Sequence, residues 1–186
     1  MRIIETTIKD LLIIEPNQFI DDRGYFFESF NQNFFDKLGL NYKFVQDNES
    51  KSSFGVVRGL HYQLAPYAQA KLVRAIKGRV YDVAVDLRKG SDTYGKWFGV
   101  ELNEENKWQL LIPQGFAHGF AVLSPEAIFS YKCDQFYNKE SEKGIIFNDR
   151  ELNIDWKLEE KDIHLSDKDK ILPKFRDSEH NFILKK

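Results

Sequence analysis

Cysteine is almost absent. The 186-residue chain holds one, Cys133, which excludes an intrachain disulfide and fits a reducing compartment. Long apolar runs are missing too: residues 11–14 are typical, far short of the roughly 20 apolar residues a spanning helix needs. The opening MRIIETTIKDLLII is broken by Glu5, Lys9 and Asp10 before a signal-type apolar core forms. Neither sign of charge dominates, with 27 Lys and Arg against 29 Asp and Glu and a net charge of −2. Nucleic acid and anionic membranes are therefore not expected partners, and any phosphate must be held by a few local cations. The expectation is one soluble, cytoplasmic domain over residues 1–186, without an export signal.

Aromatics are what the chain has in quantity. They make 15% of it, with 16 Phe and 8 Tyr, which suits a β-rich core and also supplies faces for stacking on a planar ring. Runs with strand character fall at 11–14, 24–30, 71–76, 80–87, 97–102, 109–112, 121–123 and 128–132, most of them bounded by Gly, Pro, Asn, Asp or Ser. The clearest is VYDVAVDL. Tyr81, Val83, Val85 and Leu87 would point one way and Val80, Asp82, Ala84 and Asp86 the other, and a face with two acids reads as wet or functional. Lys77-Gly78 predicts a hairpin turn; RKGSDTYG and NEENK predict longer loops. One helix is predicted around 31–38, with Asn31 as N-cap and Gly39 at its stop, and a second, short one starting at Ser166. Many short strands and few helices predict an all-β antiparallel sandwich or barrel, most naturally a jelly roll. The charged stretch 157–170 reads as a solvated C-terminal extension.

Histidine is the side chain that titrates nearest neutral pH, so the four histidines are the first candidates for chemistry. His164 and His180 lie in the charged tail and read as solvent-exposed. His61 in RGLHYQ and His118 in IPQGFAHGF lie beside glycines and apolar residues, as expected of strands inside the fold. Arg58 precedes His61 by three positions, so the two would face opposite sides unless a bulge at Gly59 re-aims one. Lys71 and Arg74 open the next strand. Cations near a sheet interior are costly unless paired or facing a ligand, so Arg58 and Lys71 imply either ion pairs with Asp82 and Asp86 or an anionic substrate. A metal site is not expected, because His61-Tyr62-Gln63 places neutral Gln where a divalent ion would want imidazole or carboxylate. Tyr131 and Tyr137 in YKCDQFY read, taken singly, as packing residues with a hydrogen-bonded tip. Asp169 closes Ser166-Asp167-Lys168-Asp169, an S-x-x-D helix-start pattern in which the carboxylate caps the backbone.

Taken together and in order, the segments DDRGYFFESF, FVQDNESKSSFGVVRGLHYQ, QAKLVRAIKGRVYDVAVDLRKGSDTYGKW, IPQGFAHGFAVLS, YKCDQFYNKES, NDRELNIDW and LSDKD resemble the dTDP-4-dehydrorhamnose 3,5-epimerase family over nearly the whole chain. The resemblance implies an all-β, cupin-type antiparallel jelly roll with a few short helices, no cofactor, and a dTDP-linked 4-keto-6-deoxyhexose substrate inverted at both carbons flanking the ketone. It implies His61 as proton acceptor, Asp169 as the carboxylate that orients it, Tyr131 as donor on the opposite face, and Lys71 as partner of the C4 oxygen. For the nucleotide it implies Arg23, Glu28, Gln46, Asp47 and Asn48, with Arg58 at the diphosphate, His118 as a second imidazole lining the site, Tyr137 stacking on thymine and Glu142 at the periphery. A homodimer with shared sites is also implied. The segment Leu64-Ala65-Pro66-Tyr67-Ala68 departs from the pattern. Three other readings stand beside this one: a mono-epimerase or ketoisomerase of a related nucleotide-linked 4-keto-6-deoxy sugar, a non-catalytic sugar- or nucleotide-binding cupin, and a metal-dependent cupin.

Overall fold

The computed structural model describes residues 1–184. Its main sheets are antiparallel throughout and stack face to face. The first has six strands in the order β1 (Arg2–Glu5), β2 (Leu12–Glu15), β10 (Gln109–Ile112), β7 (Lys71–Lys77), β12 (Glu126–Cys133) and β5 (Gln46–Ser53). The second has five, in the order β13 (Glu142–Gly144), β6 (Val57–Gln63), β11 (Phe116–Val122), β8 (Arg79–Asp86) and β9 (Trp97–Asn103). A separate hairpin, β3 (Phe19–Asp21) with β4 (Gly24–Phe26), stands apart from both. With two α-helices of six and four residues, this is the expected all-β jelly roll.

The core between the sheets follows from side-chain alternation. Val73, Ala75, Ala127 and Phe129 of the first sheet meet Val80, Ala84, Phe116, Phe120 and Val122 of the second. Burial of a side chain such as Phe129, 1% exposed, is worth roughly 1.5–3 kcal/mol. Each sheet is also covered on its outer face. α1 (Gln32–Lys37) sets Phe35 against Ile14, Leu72 and Leu111, and the segment after β13 sets Ile145, Leu152, Trp156, Phe175 and Phe182 against Val83, Val85, Leu87 and Ala117.

Several expectations change. Lys77-Gly78 is not a hairpin turn: β7 pairs with β10 and β12 while β8 pairs with β11 and β9, so Gly78 turns the chain from one sheet to the other. Glycine is required there, since φ is +74° and an added Cβ would lie 2.1 Å from the Glu126 carbonyl. The acid-bearing face of β8 is not wet, because Asp82 and Asp86 are both buried. Residues 27–30 leave the strand expected over 24–30. The stretch 157–170 is not merely solvated: Ile163 and Leu165 pack on the outer core, Val56 bridges to His164, and Asp169 is buried at the N-cap turn of α2 (Asp167–Lys170). His164 is exposed as expected, whereas His180 is half-buried, its Nε2 2.5 Å from the Tyr94 hydroxyl and its ring stacked on Phe175. Both helices carry their expected N-caps, Asn31 and Ser166.

Candidate active site

Two adjoining cavities of about 300 and 290 Å³ lie between the sheets and share His61, Lys71 and Tyr131 on their walls. A larger hollow of about 800 Å³, between the β1–β2 turn and residues 39–42, contains none of the expected site residues. The small cavities are therefore the candidate site.

His61 reaches the interior because β6 bulges. It pairs with His118 on β11 while Arg58 pairs with Phe120, so three steps on β6 oppose two on β11. The extra residue turns Arg58 and His61 onto one cavity wall. Gly59 lies at that bulge with φ +112°, and a Cβ on it would sit 2.6 Å from the His118 carbonyl oxygen. His61 Nε2 lies 2.6 Å from Asp169 Oδ1, and Asp169 is 3% exposed. Burial alone would push the Asp169 carboxyl up, but its bond to His61, the His61 charge and Ser166 hold it below the ordinary carboxylate range. It is thus ionised at neutral pH and accepts, which fixes the proton on Nε2 and leaves Nδ1 as the basic nitrogen. The helix-start reading holds only in half: Ser166 Oγ accepts from the Asp169 backbone N–H, while the Asp169 carboxylate turns to His61.

The opposite wall comes from the first sheet. On β12, Tyr131 pairs with Val73 of β7 and Asn48 of β5, and Cys133 pairs with Lys71 and Gln46. Alternation therefore brings Tyr131, Cys133, Lys71, Gln46 and Asn48 to one cavity. Burial raises the pKa of the Tyr131 phenol, with the nearby Arg58 guanidinium acting against it, so it remains protonated and can serve as a donor. Lys71 Nζ lies 5.8 Å from the Tyr131 ring centroid. Burial lowers the Lys71 ammonium pKa, against the pull of Cys133, Asp82 and Glu142. Burial likewise pushes the Cys133 thiol up to about 11, so it is neutral beside that cation.

The alternative of ion pairs for Arg58 and Lys71 is settled by the acids' own partners. Asp82 Oδ2 lies 2.9 Å from His118 Nε2, and Asp86 is held by Arg88, Ser91 and Thr93. Among the described residues neither Arg58 nor Lys71 has a carboxylate within salt-bridge distance; Arg58 binds only Ser52 Oγ, at 3.1 Å. Both cations line the cavity without a counterion, the arrangement of a site for an anion.

Other expected residues divide. Gln46 Oε1 accepts from the Tyr137 backbone N–H at 2.9 Å, and Tyr137 Oη donates to Glu142 at 2.9 Å. Glu142 also pairs with Lys168 at 2.6 Å. Hydrogen bonds from Lys168 and Tyr137 overcome the effect of burial and hold its carboxyl below the usual range. Asp47 does not join the site: its neighbours Gln46 and Asn48 face the cavity, whereas Asp47 pairs with Lys132 beyond the other face of the sheet. Arg23 and Glu28 are not brought there either. Arg23 pairs with Asp21 in the exposed β3–β4 hairpin, and Glu28 accepts from Asn31. Three contributors were not singled out from the sequence for the parts they take: Asp82 as the His118 partner, Gln63 and Lys168. The alternation of VYDVAVDL carried a signal for the first, since Asp82 shares a face with core residues Val80 and Ala84.

An imidazole–carboxylate pair, a half-buried phenol and two cations without a carboxylate partner among the described residues line one cleft of a cupin-type jelly roll, a set of groups suited to acid–base chemistry on an anionic molecule. The comparisons identify the family. The family model described as dTDP-4-dehydrorhamnose 3,5-epimerase matches residues 5–177. A protein of that name from Shigella flexneri is 56% identical over 181 residues, covering 97% of this chain and 99% of its own. The crystal structure of the Elizabethkingia anophelis dTDP-4-dehydrorhamnose 3,5-epimerase superposes with a TM-score of 0.91 at 58% identity, over 95% of this chain and 97% of that one. The Legionella pneumophila dTDP-6-deoxy-D-glucose-3,5-epimerase, solved with dTDP-4-keto-L-rhamnose, gives 0.90 at 50% identity, over 94% and 93%. The chain belongs to the dTDP-4-dehydrorhamnose 3,5-epimerase family, isomerases of dTDP-rhamnose biosynthesis.

Proposed function

We propose that this enzyme inverts C3 and C5 of a dTDP-linked 4-keto-6-deoxyhexose by paired acid–base catalysis through an enolate. The observation that carries the reading is the His61–Asp169 contact of 2.6 Å on a cavity whose walls also bear Tyr131 and unpaired Lys71. His61 Nδ1 takes the proton from the carbon beside the ketone, and Asp169 stabilises the imidazolium that forms. Negative charge gathers on the C4 oxygen, where the Lys71 ammonium meets it in a partly desolvated cleft. Tyr131 then gives its proton to the opposite face of the carbon, which inverts the centre. Imidazolium and phenolate return to their starting states by proton exchange with solvent before the second centre reacts.

Arg58 serves the diphosphate, Tyr137 the base, Gln46 and Asn48 the nucleotide, and His118 lines the sugar end against Asp82. Arg23 and Glu28 act from the partner subunit of a homodimer: Ile20 and Phe26 beside them are 78% and 67% exposed, a hairpin surface suited to docking on a second copy. No metal takes part. Gln63 is occupied instead by Tyr67, Phe136 and Asn138. The single cysteine suits a cytoplasmic enzyme. The test is incubation with the dTDP-linked 4-keto-6-deoxyglucose in D₂O. NMR is expected to show deuterium entering both C3 and C5 with dTDP-4-keto-L-rhamnose as product, unchanged after prolonged chelation. Exchange at one carbon alone would make the enzyme a mono-epimerase. Loss on chelation with recovery on adding one divalent ion would make it metal-dependent.

A further inference from the structure

Two glutamines, one from each sheet, between them hold three consecutive residues of the 134–141 loop. Gln46 on β5 accepts from the Tyr137 backbone N–H at 2.9 Å. Gln63 on β6, 4% exposed, accepts from the Asn138 N–H at 2.7 Å and donates to the Phe136 carbonyl at 3.3 Å. The same Gln63 Nε2 donates to the Tyr67 carbonyl at 2.7 Å. One buried amide therefore satisfies three backbone groups in the two loops that flank the cleft. Of the aromatics these loops carry, Tyr137, 55% exposed, lines the cleft. An aromatic ring fixed from below at its backbone is what recognition of a flat, uncharged ring requires, since the loop's ordering cost is met before the ligand arrives.

We infer that Gln63 is a positioning residue for the nucleobase: with Gln46 it clamps the 136–138 backbone and sets the Tyr137 ring against the base of the bound nucleotide. The inference rests on the proposed dTDP-sugar substrate and adds to it the group that orders the base subsite. Gln63 lines the cleft, but both its amide hydrogens are committed to the Tyr67 and Phe136 carbonyls and its oxygen to the Asn138 N–H. Its effect passes through Tyr137.

The test uses Gln63→Glu, which replaces the donating amide nitrogen with an oxygen facing two carbonyls and keeps the acceptor for Asn138. Binding of dTDP alone, measured by calorimetry, is expected to weaken roughly tenfold, the worth of one to two net hydrogen bonds. KM for the sugar nucleotide should rise in step while kcat changes less than about threefold. In a Tyr137→Ala background the same change should cost dTDP less than about twofold, because the ring it positions is gone. An equal loss in both backgrounds, or a fall in kcat at constant KM, would overturn the inference. Should Gln63→Glu fail to fold, amide exchange in the unmodified enzyme decides: the Asn138 N–H is expected to be protected, and further protected by dTDP, and free exchange would overturn the inference. Failure of the substrate reading itself looks different, because the unmodified enzyme would then not bind dTDP.

Discussion

Lys71 is the residue at which the proposed mechanism and the stability of the fold pull in opposite directions. Its ammonium is half-buried and has no carboxylate within salt-bridge distance among the described residues, and burial lowers its pKa, so at neutral pH it weakens the fold. The sign is that of a folded-state pKa below the unfolded one: the unfolded chain holds the proton longer, and stability rises with pH between the two values. Lys71→Met is expected to raise the melting temperature at neutral pH by about 2–4 °C, the effect of about 1 kcal/mol in a domain of this size, and to remove that alkaline rise. Epimerisation should fall by roughly 10²-fold or more, as for a lost oxyanion partner. A variant less stable than the parent would show that Lys71 has a compensating partner. Tyr131→Phe separates a different pair of events. On the proposed mechanism His61 and Lys71 would still form the enolate, but the phenol that would protonate the opposite face is gone. Exchange of C3–H with D₂O is therefore expected to survive far better than net inversion, with little loss of folding because the ring remains. Equal loss of both in a folded variant would move Tyr131 into enolate formation itself.

Among the elements, β6 and α2 position His61 and its partner Asp169, and they differ in how much of their role could be read from sequence. The bulge was legible, because Arg58 and His61 cannot share a face of a regular strand and Gly59 lies between them. Strand β5 was not, because QDNESKSS looks like loop. Its inward Gln46, Asn48, Ser50 and Ser52 are polar precisely where a wet cleft replaces the core, so polarity concealed the strand's period. The Lys77-Gly78 corner failed for a related reason: a glycine at positive φ marks a sharp turn equally well within a sheet and between sheets. α2 has only four residues, too few to persist without packing. Ser166 contributes the bond that fixes its first turn and hence Asp169. Ser166→Ala is expected to cost about 1 kcal/mol of stability and to lower kcat as Asp169→Asn does, though less. If kcat were untouched while stability fell by that amount, the helix start would be structural only.

At the scale of the whole molecule, the expected site residues divide into those the fold gathers and those it leaves outside. His61, Lys71, Tyr131, Gln46, Asn48, Tyr137 and Glu142 line one cavity, while Arg23 lies on the separate, exposed β3–β4 hairpin. Alternation could place only the part of the first group that lies on recognisable strands; Gln46 and Asn48 sit on a strand whose polarity hides its period, and Tyr137 lies in a loop. Nor could alternation place the second, because a hairpin with four exposed apolar side chains, Phe19, Ile20, Tyr25 and Phe26, finds its position from a neighbour rather than from its own strands. If that neighbour is a second copy, each site combines one chain's cavity with the other chain's hairpin, and inactive chains should rescue one another. Mixing His61→Ala with the double variant Arg23→Ala, Glu28→Ala after shared refolding gives half heterodimers by random assortment. Each heterodimer carries one site with both lesions and one with none. Activity is expected to return to about a quarter of the unmodified enzyme's, although each variant alone is nearly inactive. Were the hairpin to serve its own chain's cavity, every site in the mixture would keep one lesion and no activity would return. Sedimentation of the mixture must show dimers in both cases, so that an absence of rescue reports on where the hairpin docks and not on failed assembly.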